Sequence, residues 1–98
     1  MVATQLEKRR NWRLHTARPV ILENATGITR DMSPSGVFFW TSGTYSPGES
    51  MNFAVELSSG GDREIQRCQG LIVRIERLAH MIGVAVTISE SAIETTQT

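Results

Sequence analysis

Met51-Asn52-Phe53-Ala54-Val55-Glu56-Leu57 places an apolar side chain at every second position. A period of two puts Met51, Phe53, Val55 and Leu57 on one face, the pattern of a half-buried strand rather than of a helix. Behind it Ser58-Ser59-Gly60-Gly61-Asp62 reverses the chain, and before it Tyr45-Ser46-Pro47-Gly48 forms a turn. The same grammar holds outward in both directions. Pro19 to Glu23 reads as a first strand, closed by Asn24-Ala25-Thr26-Gly27, and Ile28 to Met32 as a second. Val37 to Thr41 reads as a third, Arg67 to Glu76 as a fifth, and Ile82 to Ile88 as a sixth. In the fifth, Leu71, Val73 and Ile75 fall on one face and Arg74 and Glu76 on the other. Gly83 marks a bulge or a close backbone approach. No stretch between Arg18 and Ile88 carries a helical period.

Six short antiparallel strands in under eighty residues leave exposed edges unless the sheet closes on itself. The expected fold is therefore an all-β, six-stranded antiparallel barrel over about residues 19–88. A flexible basic arm, residues 1–18, precedes it. A tail, 89–98, follows, in which Ser89 can cap a short helix with Ala92 and Ile93 packed back.

The chain has 98 residues, 40% of them apolar and 20% charged, which fits one globular domain. Its longest apolar runs, Val37-Phe38-Phe39-Trp40 and Leu71-Ile72-Val73, are far shorter than the ~20 residues of a membrane helix. No apolar segment follows the early charges as in a signal peptide, so the sequence reads as soluble and cytoplasmic. The net charge is zero but unevenly laid out: Lys8, Arg9, Arg10, Arg13 and Arg18 are five of the ten cations, with only Glu7 beside them. A basic arm on a neutral body suits a local anionic partner. It equally suits a solvated start to the chain.

Catalysis finds little support. Cys68, the single cysteine, cannot form an internal disulfide, and it reads as a small strand residue. His15 and His80 are too far apart for a local metal-ligand spacing, and His80 reads as a surface residue in a loop. No G-x-S-x-G elbow, phosphate-binding loop or dinucleotide fingerprint is present. The sequence is that of a non-enzyme with no cofactor.

Two short patterns remain. Arg9-Arg10-Asn11-Trp12-Arg13 holds two arginines four positions apart, with Lys8 just before. Asp31-Met32-Ser33-Pro34-Ser35-Gly36 turns the second strand into the third. A guanidinium fork matches a phosphate or the O6/N7 edge of guanine, and its flat face stacks on a base. An aspartate accepts from the N1–H and 2-amino group of guanine's other edge, Ser33 adds a short-range donor and acceptor, and Gly36 allows close backbone approach. Singly, each pattern is also an ordinary turn or a chance pair in a basic arm.

In this order on a six-strand pattern, the two resemble the motifs of the PilZ domain family: R-x-x-x-R in an N-terminal arm and [D/N]-x-S-x-x-G leading into a barrel strand. Pro47-Gly48-Glu49, Gly70 to Ile75 and Ile82 to Val86 resemble the family's later turn and strands, so the resemblance spans about residues 7–88. Ile88 stands where the family usually ends its last strand in an aromatic. Lys8 stands where many relatives have arginine, which leaves one ligand or a stacked pair open. The resemblance implies a receptor for cyclic di-GMP. It would be held by Arg9 and Arg13 on phosphates and the guanine O6/N7 edge, and by Asp31, Ser33 and Gly36 at the barrel surface. Lys8 and Arg10 are additional contacts of the same kind, and Trp12 either stacks on a guanine or packs on the barrel. Ligand would order the arm and so signal to a partner protein. Monomer and dimer both remain open. Two other readings stand beside it: a ligand-free adaptor of the same fold, and a small barrel binding single-stranded nucleic acid through the arm and exposed aromatics.

Overall fold

A computed structural model describes residues 15–57 and 62–97. Six strands follow one another: β1 (Pro19–Ile21), β2 (Thr26–Ser33), β3 (Gly36–Thr41), β4 (Ser50–Glu56), β5 (Asp62–Arg77) and β6 (Ile82–Gln97). Every pairing is antiparallel, and the order β1-β2-β3-β6-β5-β4 closes when β1 pairs with β4. Closure gives β1, a strand of three residues, a partner on both sides and so removes the edges an open sheet would expose.

The interior is built from rows of residues that face one another across neighbouring strands. Met32, Val37, Val86 and Ile72 form one row, and Thr29, Phe39, Val84 and Ile75 form the next. Val20, Val55, Phe53 and Cys68 complete the core on the β1–β4–β5 side. The alternation of β4 is realised as read, with Phe53 and Val55 buried. Thr29, buried like the polar residues Ser33, Thr41 and Gln66, has its bonds made. Its Oγ1 accepts from the Arg18 amide at 2.9 Å and donates to the Thr16 carbonyl at 3.1 Å. The chain entering β1 is thereby moored to the middle of β2.

Three register shifts, at Thr29/Asp31, Gln69/Gly70 and Ile72/Arg74, bend the strands. A bulge adds one unpaired residue and increases local twist, which helps a short sheet to curl shut. The last shift changes the reading of β5. Ile72, 1% exposed, is the core residue, whereas Leu71 and Val73 are about half exposed. Cys68, Gly70 and Ile72 face inward, and Val73 is the extra residue that lets Ile75 turn in after it. Gly83 is not at a bulge. A Cβ there would overlap the Phe38 and Trp40 rings, so its absence makes room for two aromatic side chains on the outer face of β3.

The tail is a strand, not a short helix. β6 continues to Gln97, paired with an equally long β5 from Asp62 onward. A helix of fewer than ten residues has little stability of its own, while β5 offers a row of backbone partners. Ile93 and Thr95 are β-branched, and cross-strand bonds reinforce the pairing. Arg67 Nε donates to Glu94 Oε2 at 2.7 Å, and Ser89 Oγ donates to the Gln69 carbonyl at 2.9 Å. No helix occurs among the described residues, so none there is long and apolar enough to cross a membrane.

Candidate functional site

The β2–β3 hairpin places the second motif. Ser33 pairs with Gly36 across the two-residue turn Pro34-Ser35, and the Ile88 amide donates to the Ser35 carbonyl at 2.9 Å, tying the turn to β6. Ser33 Oγ stands 3.4 Å from Ser35 Oγ and from the Gly36 carbonyl, both long contacts. Gly36 has a packing reason beside the one read from sequence, because a Cβ there would stand 3.0 Å from the Val86 carbonyl. Asp31, Ser33 and Gly36 all line one hollow of about 300 Å³, floored by Phe38, Ala85 and Thr87. The structure therefore brings these three together. Lys8, Arg9, Arg10, Trp12 and Arg13 lie outside the described residues.

Two cations at this hollow were not singled out in the sequence. Arg30 is the extra residue of the Thr29/Asp31 bulge, and its Nε donates to Asp31 Oδ2 at 2.9 Å. Its guanidinium carbon lies 3.8 Å from the centre of the Phe38 ring, near enough for a cation–π contact. Arg74 stands 5.8 Å from the same ring, opposite Ala85 on β5, with its Nη2 3.0 Å from Glu76 Oε2. Phe38 is 3% exposed yet is not part of the interior cluster. Trp40 meets it edge-on at 5.0 Å, and the two arginines cover it from outside. A plain alternation puts Arg30 and Asp31 on opposite faces, so only the bulge reveals the pair. For Arg74 the signal was present, since it stands on the outer face of β5 in sequence as in structure.

A larger concavity, about 1460 Å³, lies elsewhere, beneath the extension of β5 and β6. Glu23, Glu49 and Glu90 line it, and the one cation among its described lining residues, Arg67, is bonded to Glu94. That sign of charge does not suit an anionic ligand. The small hollow, with two guanidinium groups, does.

His80 is exposed in the β5–β6 turn, and no group of three metal-ligating side chains occurs among the described residues. Burial pushes the Cys68 thiol from 9.0 up to about 11, because the thiolate would lose its water. The folded state therefore holds this proton more tightly than the unfolded chain does. Stability is expected to be unaffected by this group below pH 9 and to fall as pH rises from 9 toward about 11. Alkylation by iodoacetamide at pH 8 should be slow in the native protein and fast in denaturant. Equal rates in the two would contradict the burial.

The sequence matches the PilZ domain family over residues 7–97. The chain belongs to the PilZ domain family. PilZ domains are non-catalytic receptor domains, and the family generally binds cyclic di-GMP. No curated protein and no solved structure gives a significant match to the chain.

Proposed function

We propose that this PilZ domain is a receptor for cyclic di-GMP, which it holds between the β2–β3 hairpin and the basic arm. The observation that carries the reading is the hollow that joins Asp31, Ser33 and Gly36 to the guanidinium groups of Arg30 and Arg74. Asp31 takes the N1–H and 2-amino group of a guanine, Ser33 bonds beside it, and Gly36 keeps the approach open. Arg9 and Arg13 grip phosphate and the O6/N7 edge, with Lys8 and Arg10 as further contacts and Trp12 as a stacking surface.

The path of the chain supports this. Thr16 is bonded to Thr29, two residues from Asp31. At about 3.3–3.6 Å per residue, Arg13 is within roughly 11 Å of Thr16 along the chain and Arg9 within roughly 25 Å. The aromatics also favour a nucleotide over a polymer, since Phe38, Phe39 and Phe53 are buried and offer no row of stacking platforms. Ligand brings two phosphates and two guanines that draw the arm onto the hairpin, and the covered surface is what a partner protein senses. The ligand is a cytosolic messenger, so the domain acts in the cytoplasm.

Titration calorimetry with cyclic di-GMP tests this, with GTP and GMP as controls. A selective, saturable heat is expected, weakening as salt rises. Its stoichiometry separates one ligand from a stacked pair. A flat trace at millimolar ligand would refute the receptor reading and leave an adaptor that works through protein contacts alone.

A further inference from the structure

We infer that the edge of β6 from Glu90 to Gln97 is a pairing surface for a second copy of this chain. The inference does not rest on the ligand. β3 accompanies β6 only as far as Thr87, after which the Ile88 amide donates to the Ser35 carbonyl. From there β6 runs on to Gln97 with β5 on one side, and no described strand lies on the other. Among the described residues this is the longest run of strand paired on one side alone. Such an edge offers a row of backbone donors and acceptors to any strand that arrives, and proteins commonly blunt it with lysine, proline or a bulge. Glu90-Ser91-Ala92-Ile93-Glu94-Thr95-Thr96-Gln97 has no lysine and no proline. Its bulge, at Ser89 between the pairs Gly70–Ile88 and Gln69–Glu90, lies before the run begins. Ile93, Thr95 and Thr96 are β-branched and suit a strand.

The side chains of the run select its partner. Ile93 stands across from Gln66 and Ser91 across from Cys68, so both share the face on which Gln66 and Cys68 are buried. Ile93 is nonetheless 59% exposed, because the sheet ends there. Residues directly opposite in an antiparallel pair point to the same side. Two copies of β6 related by a two-fold axis must therefore cross at a residue and its own counterpart. Crossing at Ala92 sets Glu90 against Glu94, and crossing at Glu94 sets that carboxylate against itself. Crossing at Ile93 does neither. It brings Ile93 onto Ile93, Ser91 against Thr95, and Glu94 against Ala92. Within its own sheet Ala92 lies across from Arg67, so this small side chain leaves the guanidinium facing the incoming Glu94 of the second copy. The result is a continuous β5–β6–β6–β5 sheet. Each copy uses the edge once, so the assembly closes at two.

Sedimentation velocity on the full chain, from about 1 µM to about 1 mM, tests this. A reversible monomer–dimer equilibrium within that range is expected, as for a small, transient interface. Ile93→Lys puts two ammonium groups together at the axis and should raise the dissociation constant of the dimer about tenfold or more. Thermal unfolding of the dilute monomer should be unchanged, because Ile93 is exposed. A second variant reads the register. Ile93→Cys should form a disulfide-linked dimer under mild oxidation, since residues at the axis have Cβ atoms about 4.5–5.5 Å apart, close to disulfide reach. Thr95→Cys, set against Ser91, should not link, and the native Cys68 is buried away from oxidation. A chain that stays monomeric throughout overturns the inference. So does a dimer indifferent to Ile93→Lys, or equal linking at positions 93 and 95.

Discussion

Phe39→Ala is expected to remove about 3–5 kcal/mol of stability, the cost of deleting a fully buried aromatic ring and leaving part of its volume empty. Phe39 is 0% exposed and sits mid-row between Thr29 and Val84, with the Phe53 ring 5.6 Å away at 42°. No neighbouring strand can close the gap, because each is fixed on both sides in a closed barrel. A domain of this length carries roughly 5–15 kcal/mol in total, so the variant loses about a fifth of its margin at the least. At about 1–3 kcal/mol per molar in urea, the unfolding midpoint should drop by more than 1 M, with the slope unchanged. A shift under about 0.5 M would mean the barrel collapses around the void, against the close packing of its rows. Phe38, one residue earlier, is almost as well covered, yet its cover is two arginines, Trp40 and the space over Gly83. Its ring lines the small outer hollow rather than the interior.

That contrast marks how far the sequence could be read. Val37-Phe38-Phe39-Trp40 looks like uniform core, and the strand was legible from it. Which aromatics face inward depends on pairing partners distant in sequence, and composition carries no trace of these. The six strands and their closure followed from alternation and turn residues, because those signals are local. The bulges did not, since a register shift is settled between two strands and shows only faintly in either. One shift put Ile75 on the opposite face from Leu71 and Val73. Another put Arg30 beside Asp31. The tail differs from its expected short helix for a related reason: Ser89 to Gln97 has weak intrinsic preference, and the extended β5 decides it. At the site, Asp31, Ser33 and Gly36 were legible because one hairpin holds all three within a few residues. The cations that complete the hollow come from a bulge and from β5, and only the fold brings them there.

Replacing both Arg9 and Arg13 by alanine is expected to abolish measurable cyclic di-GMP binding without unfolding the barrel. On the proposed reading each guanidinium contributes a charge-assisted contact of about 1.5–3 kcal/mol, so the pair would account for about 3–6 kcal/mol. In affinity that is about a hundredfold to ten-thousandfold, which moves a micromolar ligand to about 0.1–10 mM. Both positions precede β1 in the chain, and the strands pair among residues 19–97. The free energy of unfolding in urea should therefore stay within about 0.5 kcal/mol of the parent's. Lysine at both positions keeps the charge but loses the planar fork, so binding should return only in part and remain salt-sensitive. The opposite result would be equally informative. If the double alanine variant titrates like the parent, the anion is not held by the arm. The hollow would then have to bind it through Arg30 of β2 and Arg74 of β5.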